Sequence, residues 1–168
     1  PATMPASDIT IEGSFAVNSY NVIYKVDGEE FQVVPITYGS EITLIEAPTK
    51  EGHTFSGWSE APATMPASDI TIEGSFAVNT YNVIYKVDGE EFQVVPVTYG
   101  SEITLLDEPT KEGHTFSGWS EAPASMPASD ITIEGSFTVN TYNVIYKVDG
   151  EEYKVVPVTY GSEITLIE

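Results

Sequence analysis

The sequence predicts a mainly-β protein, a small α+β unit at most, built as tandem 61-residue repeats in an elongated array. Three observations carry that prediction. The string that opens at Pro1 recurs at Pro62 and again at Pro123, so the period is 62 − 1 = 61 and 123 − 62 = 61. Each repeat contains a segment that alternates apolar and polar residues and ends in Asp-Gly. No stretch sustains the 3.6-residue periodicity of an amphipathic helix, which argues against α-rich folds. The repeats divide the chain into residues 1–19 (the C-terminal part of a preceding repeat), 20–80 and 81–141 (two full repeats), and 142–168 (the N-terminal part of a following one). The two full repeats differ at six positions: Ile36/Val97, Ile45/Leu106, Glu46/Asp107, Ala47/Glu108, Thr64/Ser125 and Ala77/Thr138. These differences leave no protected polar cluster, which favours a structural role.

The first element is the surest. Residues 20–26 place Tyr20, Val22, Tyr24 and Val26 on one face, and Asp27-Gly28 follows. Asp-Gly suits a type I′ turn, whose two central residues need positive φ. A two-residue loop would pair Val26 with Glu29, Tyr24 with Phe31 and Val22 with Val33, leaving Lys25 opposite Glu30 on the wet face. Pro35 then makes the second strand an edge. Residues 41–47 read as a short strand or one helical turn, and Pro48 to Gly52 as a turn. A third strand is expected over 53–58, an extended loop over 59–68, and a fourth strand over 69–78 with a bend at Gly74. The expected core is Tyr20, Val22, Tyr24, Phe31, Val33, Phe55, Trp58, Ile70, Ile72 and Phe76. In the second repeat it is led by Tyr85, Phe92, Phe116, Trp119, Ile131, Ile133 and Phe137.

Composition narrows the function classes. Twenty-six Asp and Glu oppose six Lys, with no Arg, for a net charge of −20. Such a surface repels phosphate backbones and anionic lipid, so neither nucleic acid nor membrane is an expected partner. Cysteine is absent, which removes disulfides, thiolate metal sites and cysteine nucleophiles. No apolar run reaches the roughly 18 residues that a spanning helix requires.

The chain resembles the Listeria–Bacteroides repeat family, which includes the B-repeat of internalin-type surface proteins. The resemblance is carried by Tyr38-Gly39-Ser40, by the string from Pro48 through Phe55 and Ser56 to Gly57-Trp58, and by the string from Met65 to Phe76. The same strings recur at Tyr99 to Trp119 and Met126 to Phe137. The resemblance implies a small β-grasp-like domain, found in tandem in secreted or wall-attached bacterial proteins that serve as stalks and adhesins. His53 and His114 depart from the pattern, since the family usually has an aromatic there, commonly Tyr.

Each candidate for chemistry has a plainer explanation. His53 and His114 are the only histidines, and a zinc ion wants three or four ligands in closed geometry; a ring filling an aromatic slot suffices. Asp27, Glu29 and Glu30, with Asp88, Glu90 and Glu91, are weak calcium candidates, but they lack EF-hand spacing and turn chemistry accounts for Asp-Gly. Trp58 and Trp119 suit a sugar platform, yet in so small a unit they serve better as core anchors. Lys25 with Asn18 or Asn79 invites an isopeptide link; the place of Lys25 on the wet face argues against it. No nucleophile elbow or phosphate loop is present, so no enzyme is expected, and no cofactor. The expected function is a stalk or fibre body, structural or adhesive, on a bacterial cell surface. The alternative is a multivalent weak ligand-binding module for carbohydrate or host protein, with the ligand unidentified. Expected partners are neighbouring repeats or other copies of the chain, because residues 1–19 and 142–168 cannot make one unit between them; the chain is therefore expected to continue past both ends or to pack against other copies.

Overall fold

The computed structural model describes residues 3–166; the first and last two residues of the outer predicted segments lie outside them. Twelve strands are found among the described residues, and no helix. In the first full repeat these are β1 (Ser19–Val26), β2 (Glu29–Thr37), β3 (His53–Phe55), β4 (Ile70–Gly74) and β5 (Phe76–Val78). The second repeat copies them as β6 (Thr80–Val87), β7 (Glu90–Thr98), β8 (His114–Phe116), β9 (Ile131–Gly135) and β10 (Phe137–Val139). A last hairpin follows, β11 (Thr141–Val148) and β12 (Glu151–Thr159). The chain forms two compact units, residues 1–50 with 54–77, and residues 51–53 with 78–168. The turn segment Glu51–His53 thus clusters with the second unit.

The Asp-Gly turn forms as expected, with φ of +52° at Asp27 and +87° at Gly28. Val26 pairs with Glu29 and Lys25 with Glu30, and then the register slips by one: Tyr24 faces Gln32, Val22 faces Val34 and Tyr20 faces Ile36. Phe31 is the extra residue of a β-bulge. Because strand side chains alternate with a period of two, that one residue reverses which set of β2 looks inward. Val34 and Ile36 therefore line the core, while Val33, expected there, is exposed. Phe31 and its copy Phe92, also expected in the core, are 50% and 49% exposed.

The central strand pairs on its other side with β4, in parallel, matching Val22 to Ile70 and Tyr24 to Ile72. The sheet order is β2-β1-β4, repeated as β7-β6-β9. Parallel pairing requires a long crossover, here residues 27–69, and places Val22, Tyr24, Ile70 and Ile72 on one face. Met65 packs beneath them, and Val22, Tyr24, Met65 and Ile72 are fully buried. Tyr20, Val34, Ile36, Ile42, Ile45, Trp58, Ala61 and Ile70 close the cluster. In the copy, Val83, Tyr85, Met126 and Ile133 are buried with Trp119 and Ile131 against them. Burial pushes the Tyr85 phenol above its usual value, and the backbone at Leu106 partly offsets this.

Residues 41–47 form neither strand nor helical turn; only Glu41 bridges to Thr64. The expected fourth strand breaks at Ser75 into β4 and β5, and the third strand ends at Phe55 rather than Trp58. Gly74 sits at the break because Phe55 lies on it. A Cβ there would overlap the Phe55 ring and come within 3.2 Å of the Gly57 carbonyl. The ring meets Trp58 at 4.9 Å and Phe76 at 5.3 Å between centroids, so yielding to a Cβ would disturb both contacts. Gly74→Ala is therefore expected to destabilise the first unit by about 1–3 kcal/mol, read by denaturant titration; Gly28→Ala, with open space around its Cβ but a positive φ, serves as the comparison.

Residues 3–18, the C-terminal part of a preceding repeat by sequence, carry no strand. Their copies at 70–78 become strands by pairing with a β1-type strand and a β3-type strand. Here Ile11 and Phe15 stay exposed, since without such a partner a strand has no ladder to join. The last hairpin shows the same dependence from the other end. Among the described residues β11 pairs only with β12, whereas β6 pairs with both β7 and β9. Tyr142, Ile145 and Val148 are 52–56% exposed as a result. Amides of residues 144–158 should exchange with deuterium well ahead of their counterparts in 83–97, because a two-stranded hairpin is marginal in water. Equal protection would mean that the hairpin stands unaided.

Candidate functional site

A polar depression recurs in each unit where the Asp-Gly turn meets the break between the last two strands. In the first unit Asp27, Gly28, Ser56, Gly57, Trp58, Ser59, Glu73, Gly74 and Ser75 line a cavity of about 520 Å3. Its copy, from Asp88 to Ser136, measures about 490 Å3. The aspartate and two of the three serines there are engaged in internal hydrogen bonds as side-chain acceptors. Asp27 Oδ1 accepts from the Phe76 amide at 2.9 Å, while the Asp27 amide donates to Gly74 O at 3.0 Å. Ser56 Oγ accepts from the Ser75 amide and Ser59 Oγ from the Glu73 amide, both at 3.0 Å. Asp88, Ser117 and Ser120 repeat all three bonds. Asp27 is therefore a turn residue and also a clasp that satisfies the amide left open where β4 gives way to β5. Sequence reasoning saw the turn and missed the clasp, because a 49-residue separation leaves no local signal.

Glu29 and Glu30 are exposed and extend along β2. Among the described residues no three His, Asp or Glu side chains gather within ligating reach. Asp88 instead has Lys111 Nζ at 4.0 Å, an exposed pair that contributes little. Lys25 stands opposite Glu30 in the strand register, as expected. A second carboxylate that the sequence did not mark, Asp69, accepts from the Asn21 amide at 2.7 Å and so holds the start of β4 to β1; Asp130 does the same for Asn82.

The tryptophans belong to the apolar cluster. Trp58 meets the Tyr24 ring at 5.0 Å, edge on, and Nε1 donates to Ile45 O at 3.0 Å. Trp119 repeats this with Tyr85 and Leu106. Each indole is thus tied on its ring and its N–H to the core of its own unit, the use expected of a core anchor rather than of a free sugar platform.

The histidines form part of a joint. Within the second unit, His114 Nδ1 donates to Glu112 O at 2.8 Å, which fixes the protonated nitrogen, and the ring meets Tyr160 edge on at 6.0 Å. Gly113, at φ +69°, lies flat against the Tyr160 ring, where any Cβ would overlap it. The Asn140 amide donates to Gly113 O, and Asn140 O accepts from the Tyr160 amide, both at 2.8 Å. The segment Glu51–His53, in the same unit, makes these contacts with Asn79 and Tyr99. The sequence placed an aromatic slot at this position; that the slot's neighbour is a tyrosine 46 positions downstream was not legible.

The family model described as the Listeria-Bacteroides repeat domain matches residues 20–75 and 81–140. The chain belongs to this family. In the Listeria-Bacteroides repeat domain seen here, the two matched segments hold both apolar clusters and the second polar clasp, and the first clasp closes on Phe76, one residue past its segment. Among relatives, Internalin H of Listeria monocytogenes is 35% identical over 144 residues, which is 73% of this chain and 26% of that protein. A putative membrane protein of Evansella cellulosilytica is 30% identical over 185 residues, covering 95% of this chain and 28% of that protein. The chain thus spans about a quarter of the length of the curated relatives it matches. Among solved structures, domains 3–4 of a streptococcal tandem-repeat cell surface protein cover 71% of this chain and 95% of their own at a TM-score of 0.29 and 16% identity.

Proposed function

We propose that this repeat domain is a spacer, a stalk or fibre segment of a bacterial extracellular or cell-surface protein, with no catalytic role of its own. The observation that carries the reading is the use of polar groups. Asp27, Ser56 and Ser59 and their copies, the groups best placed to meet a substrate, close strand breaks instead. Each full repeat also buries its own cluster, so units can be added without redesigning a shared core. The surface location rests on the family, and a net charge of −20 would keep such an array soluble and its copies apart.

Stretching single chains tests this. Two separate unfolding steps are expected, each lengthening the chain by about 200 Å, since 61 residues extend at about 3.5 Å apiece. A single cooperative rupture of the whole chain would overturn the spacer reading. A multivalent binding module is favoured by one feature, the duplicated depression beside Trp58 and Trp119; the internal hydrogen bonds that occupy Asp27, Ser56 and Ser59 weigh against it.

A further inference from the structure

We infer that the surface around Tyr38 is a docking site for the Glu-Gly-His turn of another copy of this repeat. In the first unit Ala16, Val17, Asn18, Tyr20, Tyr38 and Ala67 line an open depression of about 310 Å3. Tyr38 is 55% exposed at its rim. The backbone of this surface already has the form that it takes at the joint. The Tyr38 amide donates to Asn18 O at 2.9 Å, as Tyr99 does to Asn79 O at 2.9 Å and Tyr160 to Asn140 O at 2.8 Å.

At those two other positions the occupant is visible. Gly52 lies against the Tyr99 ring and Gly113 against the Tyr160 ring. The Asn79 amide donates to Gly52 O and the Asn140 amide to Gly113 O, both at 2.8 Å. His53 and His114 set their rings edge on to the same tyrosines, at 5.8 and 6.0 Å. One tyrosine face, one asparagine amide and one glycine-histidine turn therefore make a repeated lock. Tyr38 and Asn18 supply the first two parts, and the sequence of the repeat supplies the third.

The chemistry explains why the turn needs this sequence. Glycine is required twice over, for its left-handed φ of +67° or +69° and because a Cβ would enter the tyrosine ring. The histidine adds an edge-to-face contact. No charge is buried, which suits a chain whose copies otherwise repel. The Gly-His turns at 52–53 and 113–114 are engaged with Tyr99 and Tyr160, and the Tyr38 surface accepts the same turn from another copy of the repeat.

The inference is independent of the spacer reading, and titration tests it. The probe is a cyclised peptide carrying residues 48–55, added to the isotope-labelled 168-residue chain up to millimolar concentration. Saturating amide shifts are expected at Asn18, Tyr38 and Ala67, with Asn79, Tyr99, Asn140 and Tyr160 unmoved. Tyr38→Ala in the chain, or Gly→Ala in the peptide, should abolish them. Absence of saturating shifts, or shifts that survive both substitutions, would overturn the inference. Two-step unfolding without peptide binding would leave the spacer reading intact and sink the docking site alone; binding with a single rupture would do the reverse.

Discussion

Trp58→Ala is expected to destabilise the first unit by about 3–5 kcal/mol, the usual cost of deleting a packed indole. The ring meets Tyr24 at 5.0 Å, Phe55 at 4.9 Å and Phe31 at 6.2 Å, so its removal opens a void beneath three aromatic neighbours. It also leaves Ile45 O without its 3.0 Å donor, loosening residues 41–47, which have no strand or helix of their own to hold them. A unit of some 60 residues has roughly 3–9 kcal/mol of stability to lose. The substitution should therefore unfold the first unit at or near ambient temperature. Trp119 becomes the only indole in that variant, and its emission should still report a folded second unit. If the first unit melts within a degree or two of wild type, the ring does not anchor the core.

Met65→Ala should cost about 2–5 kcal/mol, from a position with no strand pattern to announce it. Met65 is 1% exposed, as fully buried as Tyr24. Its amide donates to Ser40 O at 2.8 Å and its carbonyl accepts from Gly39 at 2.9 Å, so the backbone is held on both sides and cannot collapse into the space. The void should persist. Met65→Leu, which keeps the volume, should cost less than about 1.5 kcal/mol. Equal losses for the two in denaturant titration would show that the pocket demands the thioether's shape rather than its volume.

These residues mark how far the sequence could be read. Asp27-Gly28 and the alternation of Tyr20, Val22 and Tyr24 were legible because both are local: a turn type needs particular φ values, and a half-buried strand shows a period of two. Phe31 misled, because a hydrophobic residue three places past an Asp-Gly turn looks inward unless a bulge intervenes, and nothing local in Glu-Glu-Phe-Gln announces one. Met65 was passed over between Pro62 and Pro66, where the chain reads as loop. It is buried because the loop must pass under the sheet on its way from Trp58 to β4. His53 was legible as a ring in an aromatic slot, but its partner Tyr99 was not.

The sequence by itself determined the 61-residue period, the strand-rich character, the Asp-Gly hairpins, the acidic surface and the membership of a repeat family. Each of these is written in local pattern, in composition or in identity between copies. Tertiary structure decided the parallel pairing of β1 with β4, the slip at Phe31, the burial of Met65, the clasp from Asp27 to Phe76 and the lock of Gly113 on Tyr160. All but the slip join residues far apart in the chain, and the slip itself is settled by which side of β2 meets the core. Such contacts depend on which surfaces close over one another once the chain is folded, and no neighbouring residue records that choice.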